Sequence, residues 1–277
     1  NNRNDRPKSL GVSMNTSTLL TDTQLQNFIY NGYLTITSSL PANTHKEIHK
    51  ALEDWFSINE NPGNDILVRV PELTSIFEDP AVTGALTSIL GARYLIHRHR
   101  HCHNHGAGAQ AQTIHKDYPI GGNVRNHHPR SVLILYYPHT VTQDMGPTAV
   151  QPRSQYYITP EDSLEEVPIC CEGGTVVITH YEIWHRAMRN RSPETRYMVK
   201  FLGIRTLEPT VPSWENTSSE WHHSSGTSIG HSDVCRYIWN WYLGDFAEPV
   251  PVSHPDGEVK ALVSDNLRNE RSRIHAS

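Results

Sequence analysis

Several features that would place this chain outside the cell or in a membrane are missing. No run approaches the ~20 apolar residues that a spanning helix needs, and the mean hydropathy is −0.54. Cysteine is scarce, with four in 277 residues. Cys102, Cys170, Cys171 and Cys235 show no Cys-x-x-Cys spacing, which excludes a disulfide scaffold and leaves reduced thiols in the cytoplasm as the expectation. Residues Asn1 to Ser13 lack the charged-then-apolar plan of a signal peptide, so 1–18 is expected to be a flexible leader. A basic excess is absent too: 24 Lys and Arg stand against 29 Asp and Glu, without the footprint of a nucleic-acid binder. The partner expected is a small molecule, not a nucleic acid or a membrane.

The charge that is present is unevenly spread. Between Arg93 and Arg130 there are six Lys or Arg and one acid, Asp117, which fits either a pocket for anions or a solvated basic surface strip. The same segment carries His97, His99, His101, His103 and His105. On a regular strand all five would share a face. A second metal site is one reading of that alternation; a polar, half-exposed strand face with His103 reaching a pocket is the stronger one.

Elements alternate in kind along the chain. Thr21-Asp22-Thr23-Gln24 has the capping-box form, and Leu25, Phe28 and Ile29 recur at helical spacing until Gly32. Tyr33 to Thr37 alternates like a strand. Pro41 opens a second helix with Ile48, Leu52, Trp55 and Phe56 on one face, and turns follow over Pro71 to Ile76 and Pro80 to Leu90. From Arg93 to Thr206 the pattern is short strands between Gly, Pro, Asn and Ser: 94–104, 110–117, 131–137, 148–151, 174–179 and 196–204. Many short strands with turn signals predict a sandwich or jelly roll. Residues 207–277 carry four of the six Trp and are expected to cover the core, with Ser232 or Asp233 capping an aromatic helix that packs in the core or in a homodimer. One domain over 19–277 is expected, with a helical part (19–92), a jelly-roll core (93–206) and a C-terminal cover (207–277).

Three His-x-Asp triplets occur: His115/Asp117, His231/Asp233 and His254/Asp256. The last is a Pro-Gly turn and the second precedes a helix. The first lies in a predicted strand, where side chains two apart share a face at roughly 6.5–7 Å and can converge on one ion. With His185 and Arg196 downstream, two imidazoles and one carboxylate suit an iron site with an open face better than closed tetrahedral zinc. A guanidinium then has the planar fork to anchor a carboxylate.

In order, these segments resemble the phytanoyl-CoA dioxygenase family of Fe(II)- and 2-oxoglutarate-dependent oxygenases. The resemblance rests on Asn31-Gly32-Tyr33-Leu34-Thr35-Ile36, His115-Lys116-Asp117, the Asp144-Met145-Gly146-Pro147-Thr148 turn, Gly173-Gly174-Thr175-Val176-Val177, Trp184-His185, and Asn190-Arg191-Ser192 through Arg196. It implies a mainly β fold with flanking helices, a double-stranded β-helix of the cupin-like jelly-roll type. Fe(2+) would be held by His115, Asp117 and His185, with Arg196 pairing the far carboxylate of 2-oxoglutarate. O2 would then drive oxidation of an unactivated C–H bond, most simply hydroxylation of a small polar or anionic molecule, releasing succinate and CO2. Thr148 and Thr113 are candidates to offer hydroxyls to the co-substrate. Tyr118, Arg125, His127 and His128 after the metal pair are candidates for a substrate rim, together with His103. His180 rivals His185 and Lys200 rivals Arg196. Gln151-Pro152-Arg153-Ser154-Gln155 stands where the family often has "vPGSH", and the retained Asp117 argues against a halogenase variant. A cupin-type metal protein without 2-oxoglutarate turnover is the alternative, and it would have no need of Arg196.

Overall fold

A computed structural model describes residues 18–117, 127–157, 159–160, 162–223 and 229–245. The leader, Tyr118, Arg125 and His254/Asp256 lie outside these residues.

Local signals act early in the chain. In α1 (Asp22–Asn31) the Thr21 hydroxyl accepts from Gln24 N–H while the Gln24 side chain accepts from Thr21 N–H at 3.0 Å, closing the capping box. Gly32 ends the helix at φ +78°, a left-handed turn that any Cβ would strain. Strand β1 (Tyr33–Thr37) follows, then α2 (Ala42–Phe56), a short α3 (Ile66–Arg69), a 3-10 stretch at Pro71–Phe77, and α4 (Pro80–Leu90) capped by Asp79 and Gly91. Residues 63–69 had given no clear helical signal, being only two turns long.

The strands are β2 (Leu95–His105), β3 (Ser131–Tyr137), β4 (Thr148–Val150), β5 (Val167–Pro168), β6 (Thr175–His180), β7 (His185–Ala187) and β8 (Arg196–Ile204). They form a five-stranded sheet in the order β1-β6-β3-β8-β2 and a three-stranded sheet in the order β5-β4-β7, antiparallel throughout. The two-residue alternation decides the rest. Val132, Ile134, Tyr136, Val176, Ile178, Val199 and Phe201 face one way and pack on the helices. Leu133, Leu135, Tyr137, Val177, Met198 and Leu202 face the other and meet Val150, Ile169 and Ile183 between the sheets. Arg196 and Lys200 share the parity of Met198, so charged side chains enter this second layer.

Three expectations need correction. Residues 110–117 do not form a strand; only His115 makes a bridge, to His185. The register of β2 against β8 shifts between Ile96 and Arg100, and His97 and His99 are exposed there, so only His101, His103 and His105 keep the inward parity. Helix α5 spans Ile229–Tyr242, so Ser232 and Asp233 lie inside it, not at its cap. It buries Trp239, Trp241 and Tyr242 with Trp214 against the helical layer, and the Arg205 guanidinium lies 4.9 Å from the Trp241 ring. Tyr242 donates to the Ile89 carbonyl at the end of α4, so α5 is tied to the helical layer. Among the described residues no helix is long and apolar enough to cross a membrane.

Candidate active site

His115 and His185 exchange both main-chain hydrogen bonds, each at 2.9 Å. That pairing places their rings side by side, with centroids 4.6 Å apart. Each Nδ1 faces the carbonyl two residues back, His115 toward Thr113 at 2.9 Å and His185 toward Ile183 at 3.0 Å. Nδ1–H donation to those carbonyls leaves both Nε2 atoms with a lone pair for a metal, the usual way a protein fixes a ligand's tautomer. Asp117 Oδ1 lies 3.8 Å from His185 Nε2. One donor atom from each of the three residues lies within 4.8 Å of the others, a grouping no other set of His, Cys, Asp or Glu achieves among the described residues.

The carboxylate's second oxygen is occupied. Lys200, reaching across from β8, donates to Asp117 Oδ2 at 2.8 Å. Burial alone would raise the Asp117 pKa, but Lys200 and then the two imidazoles outweigh it and hold the group below the ordinary carboxylate value. Burial lowers the His185 pKa, so both the acid and this base are in their metal-binding forms at neutral pH.

Arg196 is the largest fully buried charged side chain among the described residues, 1% exposed. Its Nε and Nη1 have no hydrogen-bond partner, and no carboxylate is paired with it among the described residues. Desolvation pulls its pKa down; Tyr137, Cys102 and Cys171 push back, and a guanidinium stays charged at neutral pH regardless. A buried, unpaired cation is costly unless an anion arrives. Its donor set therefore fits a carboxylate ligand, which is the test a 2-oxoglutarate site must pass.

The phytanoyl-CoA dioxygenase (PhyH) family profile matches residues 29–198, which include all three clustered residues and Arg196. The chain belongs to the phytanoyl-CoA dioxygenase family. Members are Fe(II)- and 2-oxoglutarate-dependent oxygenases, so this PhyH protein is an oxygenase with those cofactors. Among solved structures, the α-ketoglutarate-dependent carbocyclase SnoK from nogalamycin biosynthesis matches at TM-score 0.56 and 15% identity, over 68% of this chain and 86% of that one. EctD from S. alaskensis, solved with 2-oxoglutarate and 5-hydroxyectoine, matches at 0.57 and 15%, over 69% and 77%. The epimerase SnoN, solved with Fe3+ and alpha ketoglutarate, matches at 0.56 and 12%, over 66% and 82%. At such identities the likeness carries the cupin-type fold alone. No curated protein sequence matches the chain.

The other residues singled out in this PhyH sequence are sorted by the structure. His180 is buried with Nδ1 accepting from Glu182 N–H at 3.1 Å and stands outside the cluster. His103 shares the interior with Arg196, Lys200 and Asp117, and burial, helped by Lys200, drops its pKa to about 3. His127 and His128 do not form a rim: His127 is buried with its ring 5.5 Å from Tyr156, and His128 stacks on Trp241 at 4.4 Å. Tyr156 beside His127 and Trp241 of α5 against His128 supply the ring surfaces that draw the two inward, leaving His127 buried and His128 half-buried. Thr148 is buried at the start of β4, near Tyr137. Thr113 is exposed and serves the site through its carbonyl. Lys200 was visible from sequence only as a rival anchor; its pairing with Asp117 depends on the fold bringing β8 opposite the bridge.

Arg153 occupies the place of the family's usual glycine and is the only non-glycine with positive φ, +72°, among the described residues. A left-handed non-glycine costs roughly 1–2 kcal/mol, part of which glycine returns through unfolded-state entropy. Arg153→Gly is expected to stabilise by about 0.5–1 kcal/mol, read as a higher Tm. A lower Tm would mean that the arginine side chain makes a contact worth more than the strain.

Proposed function

We propose that this chain is a dioxygenase that hydroxylates an unactivated C–H bond of a small molecule bearing a polar or anionic group, with release of succinate and CO2. His115, Asp117 and His185 hold Fe(2+); Arg196 binds the distal carboxylate of 2-oxoglutarate. When bound, iron and 2-oxoglutarate together supply the O2-derived oxidant, which the protein's own side chains cannot generate. The protein's part is to orient. The carbonyls of residues 113 and 183 aim the imidazoles, Lys200 aims the carboxylate, and Arg196 sets the depth at which the oxoglutarate lies. Thr148 and His103 line the same interior, His103 as a neutral ring toward co-substrate or substrate. Four free cysteines fit a reducing, cytoplasmic setting.

The observation that carries this reading is Arg196, buried without a partner on the strand face whose Lys200 reaches the three-residue cluster. A cupin-type metal protein that never takes 2-oxoglutarate gains nothing from such a cation. Arg196→Met is expected to keep metal affinity near wild type while weakening 2-oxoglutarate by about a hundredfold or more, since truncating one side of a buried charge pair costs roughly 2–5 kcal/mol. Because the apo protein loses an unpaired buried charge, its Tm should rise. Anaerobic titration of the Fe(II) form, followed by its weak visible charge-transfer band, checks the first expectation and calorimetry the second. Wild-type 2-oxoglutarate affinity in Arg196→Met would defeat the assignment.

A further inference from the structure

Lys200 divides the work of Asp117. Its ammonium holds Oδ2 at 2.8 Å, while Oδ1 is the oxygen beside the His185 imidazole. The two side chains are only 12% and 18% exposed, unlike the surface pair Lys50–Asp54 at 73% and 66%. Solvent therefore screens Lys200 weakly, and its charge acts on whatever binds at Oδ1. Lys200 emerges from β8 between Leu135 of β3 and His101 of β2, both regular ladder partners, so its origin is fixed by the sheet. Nor is it a spare anion anchor: Arg196, four residues earlier, has the free donors.

We propose that Lys200 is a positioning residue that confines Asp117 to one metal-facing oxygen and, by its charge, keeps the metal from binding as tightly as the three ligands alone would allow. This rests on reading the cluster as the metal site. A carboxylate with both oxygens free can take two positions on a cation. A site with three protein donors needs its remaining positions for the co-substrates, so occupying Oδ2 preserves one of them. The repulsion between an ammonium and a nearby dication is the cost of that restraint.

The test is calorimetric titration of Mn(II) into the apo full-length protein, with Lys200→Met and Lys200→Arg beside wild type. Lys200→Met is expected to bind Mn(II) at least about tenfold more tightly, and its Fe(II) form is expected to give a weaker or shifted visible band when 2-oxoglutarate is added without oxygen. Lys200→Arg should match wild type in both. A lysine that merely buttressed the fold would leave metal binding unchanged or weakened on removal. Equal or weaker Mn(II) binding by a folded Lys200→Met therefore overturns the proposal. Should that variant fail to fold, Lys200→Gln keeps an N–H donor without the charge and must show the same tightening. If wild type itself takes up no Mn(II), it is the metal-site reading that fails, not the role of Lys200.

Discussion

Asp117→Ala is expected to abolish metal retention and with it all turnover. The residue is the sole anionic donor of the cluster; without it two neutral imidazoles remain, with the Lys200 ammonium now unpaired beside them. Loss of a mere outer-shell partner costs roughly 10- to 100-fold in metal affinity, and removal of the only negative ligand next to a fixed cation should exceed that range. The apo protein pays as well, because breaking a largely buried pair from one side costs about 3–5 kcal/mol. Those two effects separate in the double variant Asp117→Ala/Lys200→Met. It should recover most of the stability, since no orphaned ammonium is left, yet still hold no metal. Measured by calorimetry and by metal content after dialysis, a double variant that regains stability but also binds Mn(II) like wild type would show that Asp117 is not a ligand.

Acid is expected to unfold the apo protein near pH 5, before most carboxylates have protonated. Four imidazoles, His180 buried and the others half-buried, are held uncharged: desolvation drops His103, His128 and His180 to about 3 and His139 to about 4. In the unfolded chain each would titrate at about 6.5. A group whose folded pKa is depressed contributes stability that is complete above the unfolded value and drains away as pH falls toward the folded one. Between about pH 6 and 4 the unfolded chain thus binds up to four more protons than the folded one, and each proton is worth about 1.4 kcal/mol per pH unit. Summed, that slope consumes a typical stability of 5–15 kcal/mol within roughly two units. Asp117 adds its own loss only lower, where its depressed carboxyl protonates. Urea denaturation of the metal-free protein from pH 7.5 to 5 measures the slope directly. A flat profile over that interval would mean that the four rings are charged or solvated in the folded state. Substituting His128, which stacks on Trp241, with Phe should lower the slope by about one proton.

Much of this was readable in the chain because each signal was local. The capping box at Thr21, the stop at Gly32 and the strands 131–137 and 196–204 all depend on neighbours a few residues away. What escaped detection depends on distant partners. Strand β7 is three residues long and exists because β4 and His115 pair with it. Segment 110–117 alternates plausibly, yet only one residue finds a ladder partner. The five alternating histidines promise a single face until a bulge against β8 splits them. His127 and His128 look like loop residues until Tyr156 and α5 close over them, and Lys200 meets Asp117 only because a sheet carries it there.

The main-chain exchange between residues 115 and 185 has a longer reach than the site itself. Peptide geometry sets the interval between those two α-carbons at about 5.5 Å, so the spacing of the two imidazole-bearing residues owes nothing to the shapes of the side chains around them. The surrounding walls can therefore be redrawn for new substrates while the two histidines keep their spacing.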